Sequence, residues 1–369
     1  MKRTTQIAPR NTELEIQEPS SVFDAGIMRI VIFSERLQPP FDEGIKHTAW
    51  QLIRSLREEH RVLALTALSR GWPDEGIEPV AANKLLWGRD LRRRLGDFRP
   101  DLVLYIPTAC ATWPSFWRAR TLRAYARGAR TALISLQPRS YGALARLLIP
   151  RLRPDAVLVT GDASRRALAH LGCPAKIMPP GVDVQRFTPV PGDVKRAMRR
   201  RYGLADDRCV VLHVGHINAK RNILQLTRLQ EDECQVVVIG STSTPQDTAI
   251  AKALRGARVR VVTEYVPDIE VFYQMADVYV FPALGDTAAI EVPLSVLEAM
   301  ACDLPVVSTP FGNLPALFPA GDGVRYVETV AAMSDTVIEM VRRAPHATRS
   351  RILPYAWEQT ARRVLELSC

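Results

Sequence analysis

A glycine followed by a basic pair marks the first segment of the sequence that could do chemistry. In HVGHINAKRN, residues 213–222, an apolar run ends at Gly215, and Lys220 and Arg221 follow. The planar guanidinium of an arginine can bind two phosphate oxygens at once. His216 contributes less, because a neutral imidazole supplies one donor and no charge. The segment predicts a strand whose end binds an anion; the alternative is the solvated start of a helix.

A second segment, residues 277–309, predicts a strand, a loop, a helix and another strand in one run. Pro293 suits the first turn of the helix. Free N–H groups and the positive dipole end at this terminus favour an anion. Glu291 in the loop and Glu298 in the helix place carboxylates where parallel α/β sheets usually bind ligands. The alternative is an ordinary core unit with Glu298 as a solvated residue.

The run SVLEAMACDLPVVST within this segment closely resembles the signature of the retaining family-4 glycosyltransferases. These are two-domain GT-B enzymes that take a sugar from a nucleotide diphosphate donor. PPGVDVQRFTPV, residues 179–190, resembles the connection between the two domains of the same family. The resemblance implies that Arg221 and Lys220 clamp the diphosphate, that Glu298 holds the ribose and that Glu291 contacts the donor sugar.

The site implied by the resemblance spans both halves of the chain. Its catalytic residues are Glu291 and Arg221. Its acceptor-side residues are Glu43 and Gln137. Its donor-binding residues are Gly44, Gly215, His216, Lys220, Arg221, Tyr265, Val266, Pro293, Leu294, Ser295 and Glu298. The resemblance implies no cofactor and no metal, with the nucleotide sugar as a substrate.

Several positions depart from the family pattern. His216 stands where the family usually has an arginine, and Arg221 stands where it usually has a lysine. The family's other glutamate lies eight residues before Glu298, which is Ile290 here, whereas Glu291 lies seven before. Either the loop shifts by one residue so that Glu291 does the work, which we favour, or the acid is missing. Gln137 occupies the position of a catalytic-site histidine; an amide can bind a sugar hydroxyl but cannot shuttle protons.

The alternation of strands and helices predicts an α/β protein with two Rossmann-like domains, each built on a parallel sheet. The resemblance implies that these domains form the GT-B fold and face a central cleft. The expected divisions are a flexible tail at 1–27, an acceptor-side domain at 28–180, a nucleotide-sugar-binding domain at 181–353 and a returning helix at 354–369. The tail lacks the apolar run of a signal peptide. Six cysteines without a CxxC pair argue against a zinc site or a disulfide framework and favour a reducing, cytoplasmic setting.

Positive charge is concentrated in the first half of the chain. The net charge is +10, and residues 28–180 carry 25 Lys and Arg against 13 Asp and Glu. Such a surface suits an anionic membrane face, a lipid-linked phosphate acceptor or nucleic acid, and the last ranks lowest because no nucleic-acid motif appears. A solvated, arginine-rich surface is an equal alternative. We expect no nucleic-acid partner and a cytoplasmic enzyme for which peripheral membrane association is open.

The predicted function is transfer of a hexose-type sugar from a UDP- or GDP-sugar to a lipid-linked or saccharide acceptor in glycan biosynthesis. A non-catalytic scaffold on the same fold, or a sugar phosphorylase or epimerase, stays open as an alternative. The sequence does not select the sugar, the base or the acceptor.

Overall fold

The computed structural model describes residues 26–230, 234–285, 287–343 and 346–369. Residues 1–25 of the predicted tail lie outside the described residues. The described chain forms two α/β domains, each built on a fully parallel sheet. The prediction of two Rossmann-like domains with parallel sheets is confirmed.

The first sheet has the strand order β3-β2-β1-β4-β5-β6-β7. Its strands are β1 Arg29–Phe33, β2 Arg61–Thr66, β3 Ile77–Pro79, β4 Leu102–Tyr105, β5 Arg130–Ser135, β6 Ala156–Val159 and β7 Lys176–Ile177. The helices of this half are α1 Gly44–Arg57, α2 Arg89–Phe98, α3 Trp113–Tyr125, α4 Ala143–Leu152 and α5 Asp162–Ala169.

The second sheet has the order β10-β9-β8-β11-β12-β13. Its strands are β8 Cys209–Gly215, β9 Cys234–Gly240, β10 Arg260–Val262, β11 Val278–Phe281, β12 Val306–Ser308 and β13 Val324–Tyr326. The helices of this half are α6 Gly192–Arg201, α7 Thr248–Gly256, α8 Glu270–Met275, α9 Leu294–Ala301, α10 Leu314–Leu317, α11 Val330–Arg342, α12 Thr348–Ile352 and α13 Trp357–Ser368. A 3-10 turn, Ala219–Arg221, follows β8.

The strand order creates one switch point in each sheet, between β1 and β4 and between β8 and β11. At these points the chain leaves neighbouring strands in opposite directions, so a crevice opens at their carboxyl ends. The central strands are apolar because helices cover both faces of each sheet. The loops after β1 and β8 therefore meet the space between the domains.

The last helix, α13, returns to the first domain and packs against α1. Trp357 at its start joins the apolar core of that domain. The chain passes beside it at Gly181, where an added Cβ would overlap the indole ring. A hydrogen bond from the Val182 N–H to the Tyr355 carbonyl, 2.9 Å, ties the linker to the segment before α13. No helix among the described residues is long and apolar enough to cross a membrane.

Candidate functional site

A cleft of about 740 Å³ lies between the two domains. Its walls come from the loops that follow β1, β8, β9 and β10 and from the segment that leads into α9. The predicted site residues that line it are Glu43, Gly44, Gln137, Gly215, His216, Arg221, Tyr265, Val266, Pro293, Leu294, Ser295 and Glu298. Two predicted residues, Lys220 and Glu291, do not line it.

Arg221 is a buried cation at the end of β8. Its side chain is only 6% exposed, and its guanidinium carbon lies 5.3 Å from the centroid of the Phe281 ring. Its Nε has no hydrogen-bond partner, and its guanidinium has no carboxylate partner among the described residues. Burial lowers its pKa from the ordinary value. An unpaired buried charge is costly, so this position favours an anion from solution.

The backbone around Arg221 explains why it reaches the cleft. The Asn218 side chain accepts from the Arg221 N–H at 3.2 Å and holds the 3-10 turn. A Cβ on Gly215 would lie 3.1 Å from the nearer terminal nitrogen of the guanidinium. The glycine therefore lets the guanidinium pack against the end of the strand.

His213 lies beneath this cation, and the sequence analysis gave it no role. Its Nδ1 donates to the Val280 carbonyl at 2.9 Å, which leaves Nε2 as an acceptor without a partner. Burial lowers its pKa to about 3, so the ring is neutral and does not repel Arg221. No sequence motif distinguishes it from a core histidine.

The N-terminus of α9 faces the same cleft. Pro293 precedes the helix, and no side chain caps the free N–H groups of the first turn. The Tyr279 hydroxyl donates to Ser295 Oγ at 2.7 Å and fixes that side chain. Backbone N–H groups and a positive dipole end thus lie on the wall that Arg221 shares.

Glu298 lines the cleft within the same helix. Its Oε2 accepts from the Tyr273 hydroxyl at 2.6 Å. Apolar surroundings raise its pKa to about 7, and the Tyr273 hydrogen bond opposes that shift. The carboxylate can accept hydrogen bonds from a ligand's hydroxyl groups when it is ionised.

His216 and Gly44 lie on opposite sides of the opening. His216 Nδ1 lies 2.7 Å from Thr244 Oγ1, and burial followed by the charge of Arg221 lowers its pKa to about 4. A Cβ on Gly44 would lie 2.8 Å from Ile290 Cδ1, so the missing side chain lets the two domains approach. Both residues line the cleft as predicted, and their roles stay predictions.

Glu43 caps α1. Its carboxylate oxygens accept from the N–H groups of Ile45 and Lys46, each at 3.1 Å. Burial raises its pKa. Both oxygens thus stabilise the start of α1. These hydrogen bonds do not support the predicted role of Glu43 on the acceptor side.

The structure differs from the sequence prediction at Glu291. Ile290 lines the cleft, whereas Glu291 is 1% exposed and its Oε1 accepts from the Ser164 N–H at 3.1 Å. Ser164 belongs to the first turn of α5 in the other domain, where a helix terminus attracts a carboxylate. The favoured one-residue shift that would bring Glu291 to the donor sugar is absent.

Lys220 also departs from its predicted place. Its ammonium is exposed and donates to Thr287 Oγ1 at 3.3 Å, outside the cleft lining. Of the basic pair, only Arg221 turns inward. The sequence could not separate the two neighbours, because their directions depend on the turn that Asn218 caps.

Asp42 is a cleft residue that the sequence analysis missed. Its carboxylate accepts from the Thr242 hydroxyl at 2.7 Å, from the Thr242 N–H and from the Ser243 hydroxyl. These partners follow β9 in the second domain, so Asp42 connects the two walls. The loop after β9 carries ordinary Ser and Thr residues, which give no sequence signal.

Known proteins resemble this chain in sequence. Residues 208–343 match the family model described as Glycosyl transferases group 1. The chain is 32% identical over 176 residues to a D-inositol 3-phosphate glycosyltransferase of Geodermatophilus obscurus, covering 42% of this chain and 38% of the relative. It is 28% identical over 249 residues to a GDP-mannose-dependent alpha-(1-6)-phosphatidylinositol monomannoside mannosyltransferase of Mycolicibacterium smegmatis, covering 61% and 65%. The matches thus span between 38% and 65% of these curated relatives' lengths.

Solved structures extend the likeness to nearly the whole chain. Anabaena Alr3699/HepE in complex with UDP and glucose superimposes with a TM-score of 0.69 at 14% identity, over 92% of this chain and 98% of that one. A sucrose-phosphate synthase from Thermosynechococcus elongatus gives a TM-score of 0.71 at 18% identity, over 92% and 98%. At these identities the likeness concerns the fold. The chain therefore has the predicted GT-B fold, and residues 208–343 are similar to the family described as Glycosyl transferases group 1.

Proposed function

We propose that this protein transfers a sugar from a nucleotide diphosphate donor, a UDP- or GDP-sugar, to an acceptor in the interdomain cleft. The observation that carries the proposal is Arg221, a buried guanidinium without a carboxylate partner among the described residues. It shares the cleft with the uncapped N-terminus of α9. A diphosphate satisfies both groups at once, because each favours anionic oxygens.

We assign the parts of the donor to the residues along the cleft as follows. Glu298 accepts hydrogen bonds from the ribose hydroxyls, and backbone groups at Tyr265 and Val266 lie beside the base. Arg221 and the N–H groups of Leu294 and Ser295 hold the diphosphate. These donors stabilise the negative charge that grows on the leaving phosphate as the glycosidic bond breaks.

The transfer is proposed to be retaining and independent of a metal. Gln137 cannot act as a base, and the Glu291 carboxylate binds the first turn of α5. The leaving phosphate oxygen therefore accepts the proton of the acceptor hydroxyl on the face where that hydroxyl attacks. The bond from sugar to phosphate breaks, the bond from sugar to acceptor forms, and the nucleoside diphosphate leaves with the proton.

The acceptor is proposed to be lipid-linked or a saccharide, held by the basic first domain. The two relatives carry names that specify inositol phosphate and a phosphatidylinositol mannoside. Residues 102–154 of this chain contain nine arginines and no Asp or Glu. Leu144 and Leu147 on α4 are 55% and 54% exposed among these arginines. Apolar side chains among cationic ones suit an anionic membrane surface.

Vesicle sedimentation tests the membrane part of the proposal. The protein should sediment with phosphatidylglycerol vesicles and not with phosphatidylcholine vesicles, and added salt should release it. Replacing Leu144 and Leu147 by serine should weaken sedimentation, while a matched change at the distant exposed Leu353 should not. Equal behaviour with both lipids would contradict the membrane contact.

A turnover screen tests the catalytic proposal itself. UDP- and GDP-sugars are incubated with and without phosphatidylinositol and simple glycosides, and released nucleoside diphosphate is measured. Transfer or slow donor hydrolysis is expected. Nucleotide binding without any turnover would favour the non-catalytic scaffold that the departures at His216, Ile290 and Gln137 suggest. Dependence on inorganic phosphate, or conversion without an acceptor, would instead indicate a phosphorylase or an epimerase.

A further inference from the structure

The end of the cleft that receives the donor sugar can be located from the path of the chain into α9. Glu298 lies one turn inside the helix, Leu294 and Ser295 form its first turn, and Ala288 to Ile290 precede it. With the nucleoside at Glu298 and the diphosphate at the first turn, the sugar extends toward residues 288–290. This assignment rests on the proposed function.

That end of the cleft has an apolar wall. Ala288, Ala289 and Ile290 all line the cavity and are 7%, 5% and 7% exposed. Ile290 also packs into the apolar core of the first domain, and its Cδ1 lies 2.8 Å from a Cβ placed on Gly44. A rigid methyl-bearing side chain therefore lies between the two domains where the sugar must sit.

The polar groups of the next residue are occupied elsewhere. The Glu291 N–H donates to the Leu136 carbonyl at 2.9 Å, and its carbonyl accepts from the Asn313 N–H at 2.9 Å. Its carboxylate accepts from the Ser164 N–H. A sugar hydroxyl that packs against the side chains of Ala288, Ala289 and Ile290 loses its water without gaining a partner from them, which costs about 1–3 kcal/mol.

We propose that the donor sugar is a 6-deoxyhexose, whose C6 methyl group packs against Ile290. This methyl is an apolar hexose substituent, and it is large enough to make van der Waals contact with a branched aliphatic side chain. Gln137 and His216, which also line the cleft, offer polar groups to the ring hydroxyls. A C6 hydroxyl in the same place is tolerated poorly, because the Ile290 side chain offers it no hydrogen bond.

Matched donor pairs with the same nucleotide test this assignment. GDP-mannose is compared with GDP-rhamnose, and UDP-glucose with UDP-6-deoxyglucose, by donor hydrolysis and by calorimetric binding. The 6-deoxy member of the productive pair should have a kcat/KM higher by roughly 10–100-fold, the range for a hydroxyl in an apolar pocket. Equal values, or a preference for the hydroxylated sugar, would overturn the proposal.

Two nearly isosteric variants separate polarity from shape. Ile290→Val and Ile290→Thr remove the same methyl, but only threonine adds a hydroxyl. The preference for the 6-deoxy donor should persist in Ile290→Val and fall several-fold in Ile290→Thr. An unchanged ratio in Ile290→Thr would also overturn the proposal.

Failure of this inference differs from failure of the proposed function. Free UDP and GDP lack the transferred sugar, so their binding does not depend on Ile290. If neither nucleotide binds, the donor site itself is refuted, and the inference falls with it. If a nucleotide binds and the 6-deoxy donor has no advantage, only the assignment of the sugar is wrong.

Discussion

Replacing Arg221 by methionine should stabilise the ligand-free protein while it weakens nucleotide binding. Burial of a lone charge costs several kcal/mol, and the Phe281 ring at 5.3 Å offsets about 2 kcal/mol of that cost. Methionine keeps the unbranched stem without the charge. We therefore expect the free energy of unfolding to rise by about 2 kcal/mol, or ~4–8 °C in the Tm of the second domain.

The same change removes the charge that binds the diphosphate. Loss of charge-assisted hydrogen bonds to phosphate should cost about 3 kcal/mol, or roughly 100-fold in Kd for UDP or GDP. Affinity for the nucleosides uridine and guanosine should not change, because they carry no phosphate. Calorimetry and thermal denaturation of one preparation measure both effects.

Lys220→Met serves as the matched control, because it removes a neighbouring charge that is exposed and outside the cleft lining. It should change the Kd by no more than a factor of about two to three and the free energy of unfolding by no more than about 0.6 kcal/mol, as expected for an exposed charge. A lower Tm for Arg221→Met together with unchanged nucleotide affinity would refute the interpretation of Arg221 as an anion-binding residue.

Three further changes test other parts of the cleft and the fold. The pKa of Glu298 is raised to about 7 by burial, so its contribution to stability is full below about pH 4.5 and is lost as the pH rises through about 7. Affinity for a nucleoside should show the opposite trend and increase through the same range, because the ionised carboxylate accepts the ribose hydroxyls; Glu298→Gln should flatten both pH profiles, and a pH-independent wild type would contradict this. Gly181→Ala should lower the free energy of unfolding by about 1–3 kcal/mol in urea denaturation, because its Cβ overlaps the Trp357 ring, and adding Trp357→Phe should recover part of the loss. Asp42→Ala should increase the radius of gyration in X-ray scattering and raise KM for the donor, since it removes three hydrogen bonds between the domains, whereas unchanged scattering would show that this contact does not hold the cleft closed.

Much of the fold followed from local pattern. Buried parallel strands appear as short apolar runs such as VYVF of β11, and the helix after them repeats its apolar residues at helical spacing. Glycine and proline separate these elements, so their order could be predicted from the sequence. The path of the chain between adjacent strands then determined which loops meet the cleft.

The directions of individual side chains could not be predicted from local sequence patterns. Lys220 and Arg221 are neighbours of the same charge, and a 3-10 turn sends only one of them inward. Glu291 binds the N–H of Ser164, a residue 127 positions earlier in the chain. Such pairings depend on how the domains pack against each other. The sequence around either residue does not indicate its partner.

The position of Glu291 connects donor binding to the contact between the domains. The segment before α9 lines the donor end of the cleft, and it is also bound to the first domain through the Leu136 carbonyl and the Ser164 N–H. Asn313 adds a hydrogen bond from its side-chain amide to the Thr160 carbonyl at 3.1 Å. A ligand that orders the start of α9 therefore also orders the contact between the domains. Because a ligand that binds only the native state stabilises all that it orders, a nucleoside diphosphate should protect amides of α5 in the first domain from hydrogen exchange, although α5 does not line the cleft.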